Sequence, residues 1–304
     1  MKLKTKDLLT LDELSKGELL GIIDNAIKLK KDLKKGISKP ILKNKTLAMI
    51  FQKPSTRTRV SFEAGMFQLG GHALNLSADE IQLKRGETIE DTAKTLSRYV
   101  DIIMARVYSH EEVEILAKNA TIPVINGLSD SYHPCQILAD LMTIKEKKKK
   151  LAGLKLAWIG DGNNVCNSMI YGCAKTSIDM SIATPKGYEP NKQVVNESKK
   201  HIDLQLLNDP ELAVKDADVV VTDTFVSIHH QSTDRTNDFL PNFQVNSKLM
   251  KKADPEAIFM HCLPAKRGQE VTTEVIDGIQ SVVWDEAENR LHAQKALMVA
   301  LLRV

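Results

Sequence analysis

Leu47-Ala48-Met49-Ile50-Phe51-Gln52-Lys53-Pro54-Ser55-Thr56-Arg57-Thr58-Arg59 reads as an apolar strand running straight into a helix start rich in hydroxyls and guanidiniums. Five consecutive apolar residues without polar alternation fit a strand buried on both faces, as in a parallel sheet covered by helices. The segment Thr58–Leu69 is helix-like, and His72–Leu76 is the next strand-like run. Ile89–Tyr99 and Glu111–Ala120 continue as helices, with strands expected over Asp101–Val107 and Pro123–Asn126. Strands alternating with helices of this length predict βαβ units.

A long helical segment runs from His133 into the Lys147–Lys150 tetrad, where cations suit a helix C-terminus and a seam is expected. The pattern then restarts with apolar runs at Lys155–Ile159, Met180–Thr184, Leu204–Leu207, Asp218–Thr222, Ala257–His261 and Val282–Trp284. A last helix is expected from about Asn289 to Arg303. The fold class that follows is α/β, with two doubly wound parallel-sheet domains: residues 1–148, joined by 289–304 returning to it, and residues 149–288.

Composition narrows the function classes. With 304 residues, 42% of them hydrophobic and 27% charged, the chain is long enough for two domain cores. Lys and Arg number 42 against 39 Asp and Glu, a net +3, which argues against a nucleic-acid polyelectrolyte binder. No apolar run approaches the roughly 18–20 residues of a membrane span. The opening Met1-Lys2-Leu3-Lys4-Thr5-Lys6-Asp7 lacks an apolar targeting core, so a cytoplasmic chain, or a mature organellar form, is expected. Cys135, Cys166, Cys173 and Cys262 form no CxxC pair, which fits reduced thiols. HExxH, GxSxG and P-loop lysine motifs are absent.

In open α/β sheets ligands bind beyond the carboxyl ends of the strands, so the residues there carry the functional reading. Ser55, Thr56, Arg57 and Thr58 follow the first strand at a helix start, where backbone N–H groups and the helix dipole already favour an anion. Arg57 adds a planar fork matched to phosphate. The ordinary alternative is a Ser cap with surface arginines. Arg106 ends another strand, and His133 and Gln136 share one face of a helix that Pro134 opens. A capping or core histidine is the competing reading there.

In the second half, Gly160-Asp161-Gly162-Asn163-Asn164-Val165 resembles a dinucleotide loop but has Val165 at the third glycine position. The next strand ends in Ala183-Thr184-Pro185, without a ribose-binding acid. Asn164 instead suits a small polar ligand. Asp223 follows a strand and suits an ammonium, or merely an Asx turn. Cys262 neighbours His261, but adjacent strand residues face opposite ways, so a thiol–imidazole nucleophile pair is not expected.

Taken in order, these segments resemble the ornithine carbamoyltransferases of the aspartate/ornithine transcarbamylase superfamily, from Asp7-Leu8-Leu9-Thr10 to the final helix. Ser55-Thr56-Arg57-Thr58-Arg59 matches the superfamily's carbamoyl-phosphate signature and His133-Pro134-Cys135-Gln136 its second half; His261-Cys262-Leu263-Pro264 marks the ornithine branch. The resemblance implies carbamoyl transfer from carbamoyl phosphate to the δ-amine of L-ornithine, in a cleft between two domains. It implies Ser55, Thr56, Arg57 and Thr58 on the phosphate, and Arg106, His133, Gln136 and Arg290 at the phosphate or carbamoyl end. Asn164, Asp223, Ser227, Ile228, Cys262 and Leu263 would serve ornithine, with Arg106, His133 and Cys262 as the catalytic set. It further implies no metal or organic cofactor, no nucleic-acid or membrane partner, and a homotrimer or assembly of trimers. Family members usually carry Ser-Met-Gly where this chain has Ser227-Ile228-His229. That departure stiffens one contact and removes easy access to positive φ. Another acceptor (putrescine, an N-acylated ornithine or aspartate) and a non-catalytic amino-acid sensor therefore stay open; a nicotinamide dehydrogenase fails on the broken glycine pattern.

Overall fold

The structure is a computed structural model describing residues 3–226 and 235–303. It divides into two compact units, residues 1–142 with 288–304, and residues 143–287.

The first unit opens with α1 (Lys16–Lys34), whose N-terminus is fixed by a reciprocal box between Ser15 and Glu18. The chain continues through β1 (Thr46–Phe51), α2 (Thr56–Gln68), β2 (His72–Ser77), a 3₁₀ turn over 82–85, α3 (Ile89–Leu96), β3 (Ile102–Arg106), α4 (His110–Asn119), β4 (Val124–Leu128) and α5 (Pro134–Lys148). The four strands are parallel in the order β2-β1-β3-β4. β3 and β4 are buried throughout and β1 at all but Thr46, while the edge strand β2 is half-exposed. Chain direction across the sheet reverses between β1 and β3, which makes the ends of those two strands the switch point. Ala48, Ile50, Ile103, Ala105, Val113 and Leu116 form the centre of one core layer.

The second unit runs β5 (Lys155–Ile159), α6 (Asn164–Thr176), β6 (Asp179–Ala183), α7 (Lys192–Ser198), β7 (Leu204–Leu207), α8 (Pro210–Val214), β8 (Val219–Thr222), α9 (Thr236–Phe239), α10 (Ser247–Met250), β9 (Ile258–His261), α11 (Thr273–Ile276) and into α12 (Val283–Leu302). Its parallel order is β7-β6-β5-β8-β9, with the switch point between β5 and β8. Phe225 and Phe239 stack with centroids 4.4 Å apart in the core around Ile159, Val220 and Phe259. Gly162 is required by close approach: a Cβ there would lie 2.3 Å from the Pro190 nitrogen.

Two sequence expectations change here. Val282–Trp284 is not a strand. Only an isolated bridge, Phe259 to Ser281, reaches the sheet before α12 starts at Val283, with Asp285 and Glu286 in its first turn; the last helix thus begins six residues before Asn289. The seam, placed by sequence after residue 148, falls inside α5 at 142/143. The end of α5 belongs with the second unit because Lys147 pairs with Asp285 at 2.7 Å and Lys148 donates to the Glu256 carbonyl at 2.6 Å. Among the described residues no helix is long and apolar enough to cross a membrane.

Candidate functional site

The first switch point is built where β1 hands over to α2. Ser55 is the N-cap of α2, and its Oγ accepts from the Thr58 N–H at 3.3 Å. The capping alternative is thus realised, but a capping hydroxyl still has its own O–H to donate. Ser55 and Thr56 line an open depression of about 640 Å³, together with Gln52, Lys53, Arg59 and Asn75. Arg57 lies half-buried in the first turn of α2, its carbonyl accepting from Ser61 Oγ at 2.6 Å.

Behind that turn, a buried chain of hydrogen bonds links three of the sequence-predicted residues. Arg290 of α12 donates from Nη1 to Gln136 Oε1 at 2.6 Å and from Nη2 to Thr58 Oγ1 at 3.3 Å. Gln136 passes the contact on, donating from Nε2 to Asp140 Oδ1 at 2.8 Å. With the Gln294 amide oriented so that its nitrogen donates to Ser61 Oγ, its oxygen accepts from Arg290 as well. A buried guanidinium held by this many acceptors is fixed in place rather than mobile. His133 is buried at the start of α5, where its carbonyl accepts from the Gln136 N–H.

Arg106 closes β3 beside Phe51, and its carbonyl accepts from the Gln52 N–H at 3.0 Å. Lys53, which sequence reasoning passed over, is buried alongside. Its ammonium sits 4.0 Å from the centre of the Tyr108 ring. Burial, with the Arg106 charge next, lowers the Lys53 pKa. Its position in Gln52-Lys53-Pro54, beyond a buried strand, was the signal available. The first switch point is cationic.

The second switch point has the opposite character. Asp223 follows β8 and is buried. Its Oδ2 accepts from Asn163 Nδ2 at 2.8 Å, and its Oδ1 accepts from the Thr224 N–H at 2.8 Å and from the Cys262 thiol at 3.1 Å. Asn163, missed in the sequence, is the N-cap of α6, its Oδ1 accepting from the Val165 and Cys166 N–H groups. Asn164, the residue singled out, is the first residue of that helix and buried. This contact seats the Cys262 sulfur against the Asp223 carboxylate.

His261 lies nearer to Cys262 than strand alternation implies: one of its nitrogens, the Cys262 sulfur and an Asp223 oxygen lie within 4.8 Å of one another. The reason is that β9 ends at His261 and the chain turns, with Leu263 at φ +59° before a cis Leu263–Pro264 bond. His261 is still not a base for the thiol. Its Nδ1 accepts from the Leu263 N–H at 2.9 Å and its Nε2 pairs with Glu270 at 3.1 Å. Those two bonds fix the turn that carries Cys262 and Leu263. Ser227 and Ile228, with His229, lie outside the described residues.

A further acid stands near Asp223. Burial pushes the Asp161 carboxyl up to about 6, against the pull of Arg235 at 3.4 Å and with a smaller push from Asp223. Arg235 also lies over the Tyr188 ring. By contrast Cys135 is a sealed thiol, pushed up by burial to about 12; it and the buried Cys166 and Cys173 are placed as core, not chemistry.

Comparison with known proteins decides the family. The aspartate/ornithine carbamoyltransferase carbamoyl-P binding domain matches residues 6–146, and the Asp/Orn binding domain matches residues 152–301. The chain belongs to the aspartate/ornithine carbamoyltransferase family. Within it, an ornithine carbamoyltransferase from Cenarchaeum symbiosum is 63% identical over 302 residues, 99% of each chain. The structure of ornithine carbamoyltransferase from Pyrococcus furiosus superposes with a TM-score of 0.94 at 54% identity, over 99% of this chain and 98% of that one. The anabolic ornithine carbamoyltransferase from Campylobacter jejuni gives 0.92 at 41%, over 99% and 100%. Family membership accounts for the two parallel sheets, each with one switch point.

Proposed function

We propose that the chain transfers the carbamoyl group of carbamoyl phosphate to the δ-amine of L-ornithine, giving L-citrulline and phosphate in arginine biosynthesis. The observation that carries this reading is the contrast between the switch points, with cations and hydroxyls at one and a thiol and carboxylates at the other. The δ-nitrogen attacks the carbamoyl carbon, a C–N bond forms, the bond from that carbon to the phosphate oxygen breaks, and the amine sheds a proton. Ser55, Thr56, Arg57 and Thr58 take the phosphate. Arg106 and His133 stabilise charge on the carbonyl oxygen and the leaving phosphate. Arg290 and Gln136, locked to Thr58 and Asp140, hold the carbamoyl end without reorganisation during the reaction.

Asp223, Asn164 and Ser227 take the amino-acid end of ornithine, with Ile228, Cys262 and Leu263 around its side chain. A free amine of this type has a pKa near 10.4 and must lose a proton before it attacks. The acids Asp223 and Asp161 favour an acceptor with ammonium groups over a dicarboxylate, and Arg235 beside them is already paired with Asp161. Assembly as a homotrimer, alone or in larger sets, is part of the same proposal. It is supported by the half-exposed edge strand β2 and by Val60 and Phe67, which stand exposed on α2 next to it.

A colorimetric ureido assay with carbamoyl phosphate and, in parallel, ornithine, putrescine, N-acetylornithine, lysine and aspartate tests the reading. Product with ornithine alone is expected. Product with another acceptor overturns the acceptor assignment, and no product with any of them supports a binding protein instead.

A further inference from the structure

The first unit holds a second, smaller cavity remote in sequence from the strand ends. It measures about 110 Å³ and is formed by the C-terminal halves of α1 and α2, the 37–41 segment, and Lys295 of α12. Leu29, Leu33, Ile37 and Ile41 supply an apolar wall. The polar end is Lys295, only 3% exposed, whose ammonium donates to Gln68 Oε1 at 2.9 Å. Among the described residues no carboxylate comes within ion-pair distance of it, and burial alone lowers its pKa. Lys28 and Lys39 also border the cavity against a single acid, Asp32.

A buried ammonium is normally matched by a counter-charge, because removing it from water is costly. Here the space beside it is a cavity with an excess of cations and an apolar wall. A phosphate-like dianion calls for several convergent donors, which this wall does not offer. A carboxylate with a short apolar tail satisfies both ends. Against a cavity of about 150 Å³ that accepts benzene, there is room for roughly four to six non-hydrogen atoms.

We propose that this cavity binds a small monocarboxylate of the size of propionate or butyrate, its carboxylate on Lys295 and its tail against Leu29, Leu33, Ile37 and Ile41. The ligand is separate from both reactants of the transfer reaction, and the residues that hold it take no part in that chemistry.

The test is thermal unfolding and NMR titration of the whole protein with sodium butyrate, with sodium chloride at matched ionic strength and with butyramide. Butyrate should shift NMR signals of the site saturably and raise Tm with the logarithm of its concentration, by about 3 °C near tenfold over a millimolar Kd. Butyramide, which keeps the tail and loses the charge, should give no such response. Lys295→Met should abolish the butyrate response. Ile37→Trp, at a position exposed enough to be tolerated, should abolish it by filling the cavity while leaving Lys295 in place. Equal responses to butyrate and butyramide, or a butyrate response surviving in either variant, would overturn the proposal. Inorganic phosphate competing as well as butyrate would overturn the carboxylate assignment by showing a site without tail recognition.

Discussion

The β1–α2 and β5–α6 junctions are the same piece of architecture used twice, and they differ almost wholly in charge. Each is a parallel strand buried along most of its length, ending at its sheet's switch point and turning into a helix whose N-cap is a short polar side chain, Ser55 in one and Asn163 in the other. After Ser55 come Arg57 and Arg59, with Lys53 just before it. The Asn163 cap instead reaches across to hold Asp223, with Asp161 beside it. The fold therefore supplies the place and the turn. Residues close to the cap at the first junction, and at the second Asp161 together with Asp223 brought in from β8, decide whether the place takes an anion or an ammonium.

The largest expected effect comes from removing the cationic side. Arg57→Ala should lower kcat/KM by about 10²–10³-fold, on the scale of losing one preorganised donor to developing charge. Near-normal turnover with saturable carbamoyl phosphate would break the assignment of the anion to the first junction. On the acidic side, Asp223→Asn should raise the KM for ornithine roughly tenfold to a hundredfold, as expected for a charged hydrogen bond worth about 1.5–3 kcal/mol. An unchanged KM would place the amino-acid end elsewhere.

The next prediction sharpens the comparison through pH. Asp161 is held at about 6, above its ordinary 3.8, so the folded state binds its proton more tightly than the unfolded chain does. Its stabilising contribution is present in acid and is lost as pH rises from about 4 to 6. Keeping it ionised at neutral pH costs on the order of 3 kcal/mol. Asp161→Asn should therefore raise the urea midpoint at pH 7, by an equivalent of about 1–3 kcal/mol, and flatten the midpoint between pH 4 and 6. A variant less stable at pH 7 would mean that the Arg235 pair outweighs the cost of burying the carboxylate. The smallest effect is expected for Asn163→Ala, which loses a cap worth about 1 kcal/mol together with one of the bonds on Asp223. Lower stability with a raised ornithine KM is the expected pair of changes, and a stability change alone would reduce Asn163 to a cap.

What could be read from the chain follows the range of the interactions. β5 and β7 coincide with their sequence runs residue for residue, and α5 opens at Pro134 as its N1 signal implies. Those features depend on burial and turn chemistry within a few residues. α1 was legible but overlooked, since Ser15 and Glu18 spell a capping box ahead of Leu19, Ile22, Ile23 and Ala26. Val282–Trp284 misleads because three apolar residues suit a strand or a helix face equally. The polar partnerships were the hardest to see. Arg290 meets Thr58 across 232 positions and Gln136 across 154, and Asn163 meets Asp223 across 60. No local spacing encodes such pairs. The Cys262 geometry was hidden for a different reason, because strand alternation stops applying at the turn after His261.

The most direct measurement follows carbamoyl phosphate labelled with ¹³C and ornithine labelled with ¹⁵N at the δ-position by NMR in the presence of the purified protein. Carbamoyl transfer predicts a ureido carbon coupled to the labelled nitrogen, appearing in step with one equivalent of inorganic phosphate. Phosphate released without that coupling, or coupling to the α-nitrogen instead, would contradict it.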